Sequence, residues 1–248
     1  MPPRGAHRAV VTGAASGIGR ATARRLAADG MHVLAVDVAA PGLSPLEDEG
    51  LETLVADLSD PAERDRVAQA AADADFLVNA AGIIRVKPIL EVTQEDWAAI
   101  MAVNAEALFF LCQAIGPRLR PGGAIVNVSS SSAKLATTVE VAPYAASKAA
   151  VASITRSFAY AFADVPIRVN AILPGLVETP MQEAVVAGVA AARGVDPEDL
   201  ERTRTATVPL ARAATPDDCA GLIRFLLSED AAYMTGQSVN LTGGLVTW

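Results

Sequence analysis

The chain has 248 residues, 52% hydrophobic and 19% charged, a size and balance suited to one α/β domain that buries about 70–75% of the surface its unfolded form exposes. Lys and Arg total 20 against 28 Asp and Glu, a net charge of −8, which leaves no basic footprint for nucleic acid or an anionic membrane; neither partner is expected. Apolar runs are short and broken by Arg, Asp, Gly and Pro, none near the roughly 20 residues of a membrane span. The run Ala9 to Val11 behind the basic N-terminal flank is too short for a signal-peptide core, so a soluble, cytoplasmic protein is expected. Cys112 and Cys219 stand 107 residues apart without a paired-Cys motif and read as reduced thiols. His7 and His32 are the only histidines; no metal site is expected, and Ser-His-Asp hydrolysis falls back.

Short apolar runs alternate with amphipathic stretches, which predicts a doubly wound α/β fold of the Rossmann type, with about seven parallel strands and helices on both faces. The strands fall at Arg8–Thr12, His32–Asp37, Leu51–Ala56, Phe76–Asn79, Ala124–Val128, Arg168–Ile172 and Ser238–Leu241. Helix signals fill the intervals: a helix from Gly17 to a stop at Gly30, Asp60-Pro61 and Asp196-Pro197 as capped starts, and Thr93 with Asp96 as a further cap. Pro41 to Pro45 reads as a short loop. The interval from Pro174 to Pro216, helical and strand-poor, is long enough to form a lid or pocket wall within the single domain.

Directly after the first strand comes Thr12-Gly13-Ala14-Ala15-Ser16-Gly17-Ile18-Gly19, opening a helix. Glycines there permit a tight turn, let backbone amides approach a pyrophosphate and bring helix to strand, while the helix N-terminus favours phosphate; a bare structural turn is the plainer reading. Asp37 ends the second strand, 18 residues past Gly19, where a carboxylate accepts from the ribose hydroxyls and repels a 2′-phosphate. Position 16 is Ser and the one nearby cation is Arg20; NAD is expected over NADP. Asp57 and Leu58, after the third strand, fall near the adenine.

Tyr144 and Lys148 stand four apart at the start of a helix running to about Ala163, in a chain of three tyrosines and three lysines, so both project from one face. A cation beside a phenol lowers its pKa toward working pH, as a general acid/base requires. The fifth strand ends in Ser129-Ser130-Ser131-Ser132 at the carboxyl edge of the sheet, and Asn104 sits inside the helix beginning near Gln94; a loop and a packing amide are the plainer readings of these.

Together these segments resemble the short-chain dehydrogenase/reductase family over essentially the whole chain. The motifs occur in order: TGAASGIG, Asp37, Asp57-Leu58, Asn79-Ala80-Ala81-Gly82, Asn104, the Ser run, Tyr144-x3-Lys148, then Pro174-Gly175 with Val177 and Thr179. The resemblance implies Tyr144 as acid/base, Lys148 as the group that lowers its pKa and holds the nicotinamide ribose, and Ser130 or Ser131 on the substrate oxygen. Counting back from Tyr144 points to Ser131 and aligning from the strand points to Ser130, which is favoured. It further implies that Asn104 supports a relay water, that Asn79 to Gly82 packs under the cofactor, and that Thr179 bonds the nicotinamide end.

For the substrate, Gly194 to Glu198, Val208 to Arg212 and Tyr233 to Gly244 look like polyol and sugar-alcohol dehydrogenases such as sorbitol-6-phosphate dehydrogenase, although Thr242 stands where most relatives carry Asp. Asn79 to Arg85 and Glu95 to Trp97 look instead like dihydrodiol-acid dehydrogenases of the 2,3-dihydro-2,3-dihydroxybenzoate type, with Arg85 on a carboxylate or phosphate or merely exposed. Glu140 either bonds polyol hydroxyls or faces solvent. A 3-oxoacyl thioester reductase and a non-catalytic NAD sensor, both compatible with the same fold, stand beside these two substrate classes. The family resemblance and the aromatic residues Phe109, Phe110, Phe158, Tyr160 and Phe162 lead to the expectation of a homotetramer.

Overall fold

A computed structural model describes residues 7–136 and 138–248; most of the basic N-terminal flank lies outside them, whereas the short apolar run Ala9 to Val11 lies within them. Val- and Leu-rich runs form seven strands: β1 (Arg8–Thr12), β2 (His32–Asp37), β3 (Glu52–Val55), β4 (Phe76–Asn79), β5 (Ala124–Val128), β6 (Arg168–Pro174) and β7 (Ser238–Leu241). All pair in parallel in the order β3-β2-β1-β4-β5-β6-β7. The order reverses between β1 and β4, and at such a switch point the crossover helices leave a crevice at the carboxyl ends of the strands.

The helices are α1 (Gly17–Ala28), α2 (Ala40–Asp48), α3 (Pro61–Ala70), α4 (Gln94–Met101), α5 (Leu108–Ile115), α6 (Ala142–Ala161), α7 (Pro180–Arg193), α8 (Pro197–Ala206) and α9 (Pro216–Leu227). Side chains alternate along each strand, so the sheet carries two cores. Val10, Leu34, Leu77 and Ile125 pack with Val67, Leu111 and Phe158 of α3, α5 and α6. Ala9, Val33, Val78 and Val126 pack with Leu26, Leu43, Leu46 and Ile223 of α1, α2 and α9. A strand covered on both faces needs continuous apolar sequence, which is why these strands read clearly.

Two expectations are overturned. Pro41 to Pro45 is not a loop but the body of α2. Pro41 falls in the first turn, where a missing N–H costs little, and Leu43 and Leu46, three apart and buried, hold that face of the helix against the core. Likewise, among the described residues one helical run, Gln94–Arg118, is long and apolar enough by length and composition to cross a membrane. Isolated polar residues such as Asn104 and Glu106 break it in the linear sequence. Its residues Leu108, Leu111, Cys112 and Ile115 are buried under the sheet, so it packs as a core helix. Between α4 and α5 this run passes through a π-helical turn, Ala102–Ala107.

Candidate active site

The turn after β1 is built for close approach. Gly13 has φ 68°, and a Cβ there would stand 2.7 Å from the Ala80 carbonyl carbon; a Cβ on Gly19 would collide with the Gly13 carbonyl. The Thr12 hydroxyl accepts from the amides of Ala80 (3.1 Å) and Ala81 (3.2 Å), tying β1 to the segment after β4. Ser16 occupies the N-cap of α1 yet makes no side-chain cap, whereas α3, α4, α7, α8 and α9 are each capped by Asp or Thr. The first-turn amides of α1 therefore keep their donors and the partial positive charge of the helix end, as a pyrophosphate site requires.

One cleft of about 420 Å³ runs along the carboxyl edge of the sheet from this turn. Its wall takes in Gly13, Ser16, Gly17, Ile18, Gly19, Asp37, Asp57, Leu58, Ala80, Ala81 and Gly82 at one end, then Ser130, Ser131, Tyr144, Lys148, Pro174, Gly175, Val177 and Thr179 at the other. Asp37 is held by the amides of Ala15 and Ala39, each at 2.9 Å. Arg20, instead of standing in solvent, donates to the carbonyls of Ala15 and Gly42. Asp57 accepts from the amide (2.9 Å) and hydroxyl (2.8 Å) of Ser59.

Three residues expected in the site stand off the cleft wall. Asn79 is turned into the sheet, where register aligns Asn79 with Asn127; its amide donates to Asn127 at 2.9 Å, and Asn127 donates to Thr155 at 3.0 Å. Asn104 is wholly buried. Its Oδ1 accepts from the Ile83 amide (2.8 Å), and its NH₂ donates to the Ile83 carbonyl (2.9 Å) and the Ser147 hydroxyl (3.0 Å). The side chain thus fixes the segment after Gly82 against α6, from within the π turn. Glu140 neither lines the cleft nor faces solvent: it is buried and grips Arg193 through two bonds of 2.7 Å. Arg85, for its part, pairs with Asp96 at 2.9 Å, and Lys87 shares that carboxylate at 2.7 Å.

The reactive groups gather where β5 meets α6. The Lys148 ammonium donates to the Val128 carbonyl at 2.8 Å and lies 5.5 Å from the centre of the Tyr144 ring. The Ser129 hydroxyl donates to the Lys148 carbonyl at 2.7 Å, so β5 and α6 are locked together. Ser130 accepts from the Ser132 amide at 3.1 Å, which starts the following turn, and lines the same cleft as Tyr144. Burial pushes the Tyr144 phenol up from its ordinary pKa, and Ser130 partly offsets this. Burial brings Lys148 down to about 8. Desolvation is the larger cause of the phenol's shift, and the lowering expected from Lys148 is not among its causes here.

Over the far end, α7 and α8 form a wall. Thr179 caps α7, accepting from the Gln182 amide at 3.2 Å, and Met181, Gln182, Val185 and Arg204 line the cleft. No motif singles these out; the length of the interval from Pro174 to Pro216 is their only signal. A phenol, a hydroxyl and an ammonium facing one cavity can exchange a proton with an alcohol oxygen, and the dinucleotide cradle leads into the same cavity.

The family model described as Enoyl-(Acyl carrier protein) reductase matches residues 13–246. The chain is 36% identical to the 3-oxoacyl-(acyl-carrier-protein) reductase FabG of Thermotoga maritima, over 96% of each chain. It is 35% identical to the galactitol 2-dehydrogenase of Agrobacterium fabrum, over 95% of this chain and 96% of that one. Among solved structures, an actinorhodin polyketide ketoreductase with NADPH is similar at a TM-score of 0.91 and 32% identity, covering 98% of both chains.

Proposed function

The chain belongs to the short-chain dehydrogenase/reductase family, an oxidoreductase acting on CH–OH groups with a nicotinamide cofactor, and from this premise we propose that it is a cytoplasmic, NAD-dependent enzyme that interconverts a small secondary alcohol and its ketone. The observation that carries the reading is the gathering of Ser130, Tyr144 and Lys148, the last with its ammonium 5.5 Å from the Tyr144 ring centre, on the wall of the cleft that begins at the glycine turn.

The residues suit the cofactor. The uncapped start of α1 offers amides to the pyrophosphate, and Asp37 on the cleft wall suits ribose hydroxyls and opposes a 2′-phosphate. Gly82, a Cβ on which would stand 3.4 Å from both Asn104 and Lys148, keeps the floor open near the reactive groups. The bound nicotinamide supplies the hydride acceptor in oxidation. Tyr144 as phenolate takes the hydroxyl proton, Ser130 donates to the developing carbonyl oxygen, and Lys148, when charged, stabilises the phenolate. Ser131, Ser132, Thr138 and Gln182 add polar groups to the same wall, which favours a polyol or sugar alcohol as substrate. Galactitol 2-dehydrogenase is a relative of that kind.

Absorbance of the reduced nicotinamide tests this, with NAD or NADP and a panel of polyols, butanediols, dihydrodiol acids and 3-hydroxyacyl thioesters. Turnover of a polyol with NAD is expected, falling at least about 10³-fold in Tyr144→Phe while NAD binding persists. Turnover of thioesters with NADP alone would replace this reading with a thioester reductase. NAD binding with no turnover of any compound would favour a sensor.

The reading extends to a homotetramer: Phe110 of α5 and Tyr160 of α6 are 41% and 84% exposed, large aromatic surfaces of the kind that association covers. Light scattering that gives a monomer at micromolar concentration overturns this.

A further inference from the structure

Helices α7 and α8 carry three arginines, Arg193, Arg202 and Arg204, and two of them are matched. Arg193 is held by Glu140, Arg202 by Asp199, and Arg212, after α8, by Asp218. Arg204 is different. Among the described residues no carboxylate lies within 4.0 Å of its guanidinium, and its Nη1 is buried without a hydrogen-bond partner. The same side chain lines the catalytic cleft, beside Met181, Gln182 and Val185. A buried guanidinium N–H left unbonded is costly, and its planar fork matches carboxylate and phosphate oxygens better than hydroxyls.

The nearest charges do not satisfy it. Glu201 and Arg193 act on it only at longer range, and the Arg193 charge is already met by Glu140. Glu178 and Glu183 line a side hollow that Arg204 also borders, and neither reaches it. Arg204 is on α8, an element separate from the start of α1 that carries the uncapped amides and from the end of β2 that carries Asp37, and it lines the same cleft as Tyr144.

We propose that Arg204 is a specificity-determining residue that binds a carboxylate or phosphate group carried by the substrate. The proposal rests on reading the cleft as a dehydrogenase site, and it narrows the substrate to an anionic secondary alcohol. Arg85, the cation the sequence offers for this role, is occupied by Asp96.

The test compares kcat/KM with NAD for a hexitol, its terminal phosphate ester and its aldonic acid, and for a dihydrodiol with and without a carboxylate. The anionic member of a pair should be preferred about 10–100-fold, the range of one charge-assisted contact; phosphate and carboxylate arms distinguish the two sources. Arg204→Gln should erase that preference, lowering kcat/KM for the anionic member about tenfold or more beyond any loss for the neutral member or in NAD affinity, and Arg204→Lys should restore part of it. A parallel calorimetric titration of inorganic phosphate and of acetate into the NAD complex should show binding that weakens about tenfold or more in Arg204→Gln. Equal losses on neutral and anionic substrates, an equal loss in NAD affinity, or unchanged anion binding in Arg204→Gln would overturn the proposal. If no alcohol is turned over, the dehydrogenase reading fails, while the phosphate and acetate titrations still decide the role of Arg204.

Discussion

Glu140 and Arg193 meet through two hydrogen bonds of 2.7 Å, which join the turn preceding α6 to the last residue of α7. The pair stands off the cleft but joins two segments that line it, because Tyr144 follows Glu140 by four residues and Met181, Gln182 and Val185 belong to α7. The Arg193 guanidinium holds the Glu140 carboxyl below its ordinary value. Glu140→Gln removes one charge and leaves Arg193 unmatched. We expect KM for the substrate to rise about fivefold with a smaller change in kcat, and Tm to fall by about 2–4 °C for a loss on the order of 1 kcal/mol. The folded pKa is depressed, so this stability is present above the unfolded value and is lost as pH falls through the folded one. Wild type and variant should converge in acid; a Tm difference that is the same at pH 4 and pH 7 would refute the assignment.

Such pairs mark the boundary of what the sequence discloses. β1, β2, β4, β5 and β7 fall where their apolar runs place them, because a strand buried on both faces writes its burial into consecutive residues. Tyr144 and Lys148 are readable because a helix converts a spacing of four into one face. Glu140 and Arg193 lie 53 residues apart, and the match of Arg85 to Asp96 depends on how the segment after β4 returns over α4; no local pattern encodes either. The unmatched state of Arg204 is a property of the folded wall and leaves no mark in its neighbours. Asn79 shows the same limit in reverse: its place after β4 is legible, but its side chain follows the sheet register toward Asn127 and not the cleft.

Asp37 should decide cofactor choice. Its carboxylate, on the cleft wall and anchored by two amides, would face a 2′-phosphate with like charge. Asp37→Ser is expected to lower kcat/KM for NAD about tenfold and to raise that for NADP, shifting the ratio by about 10²-fold or more, on the order of 3 kcal/mol. Steady-state kinetics with both cofactors measure it. An unchanged ratio would mean that Asp37 only braces the turn between Ala15 and Ala39.

The two cysteines should be inert in the native protein. Cys112 and Cys219 are both buried, and burial raises each thiol to about 12, so almost none is thiolate near neutral pH. A chromogenic disulfide reagent at pH 8 should titrate close to zero thiols in native protein and 2 in denaturant. Rapid native labelling of either would show that its surroundings open on the experimental timescale.

Lys148 sits in the site at a cost to stability, and the sign of that cost is measurable. Burial brings its pKa down from 10.5 to about 8, so between those values the unfolded chain binds more protons than the folded one. Stability contributed by this group therefore rises with pH across about 8 to 10, with a slope approaching 1.4 kcal/mol per unit. Lys148→Met removes the titrating group while keeping much of the buried stem, at the loss of the bond to Val128. The variant should exceed wild type at pH 7 by about 1–3 kcal/mol in denaturant unfolding, and the gap should narrow as pH rises toward 10. Turnover in the variant should fall at least about 10²-fold, because the phenolate of Tyr144 loses the cation that stabilises it. A variant no more stable than wild type at pH 7, with a gap independent of pH, would show that the ammonium is held without penalty and that its depressed pKa is not expressed in the folded protein.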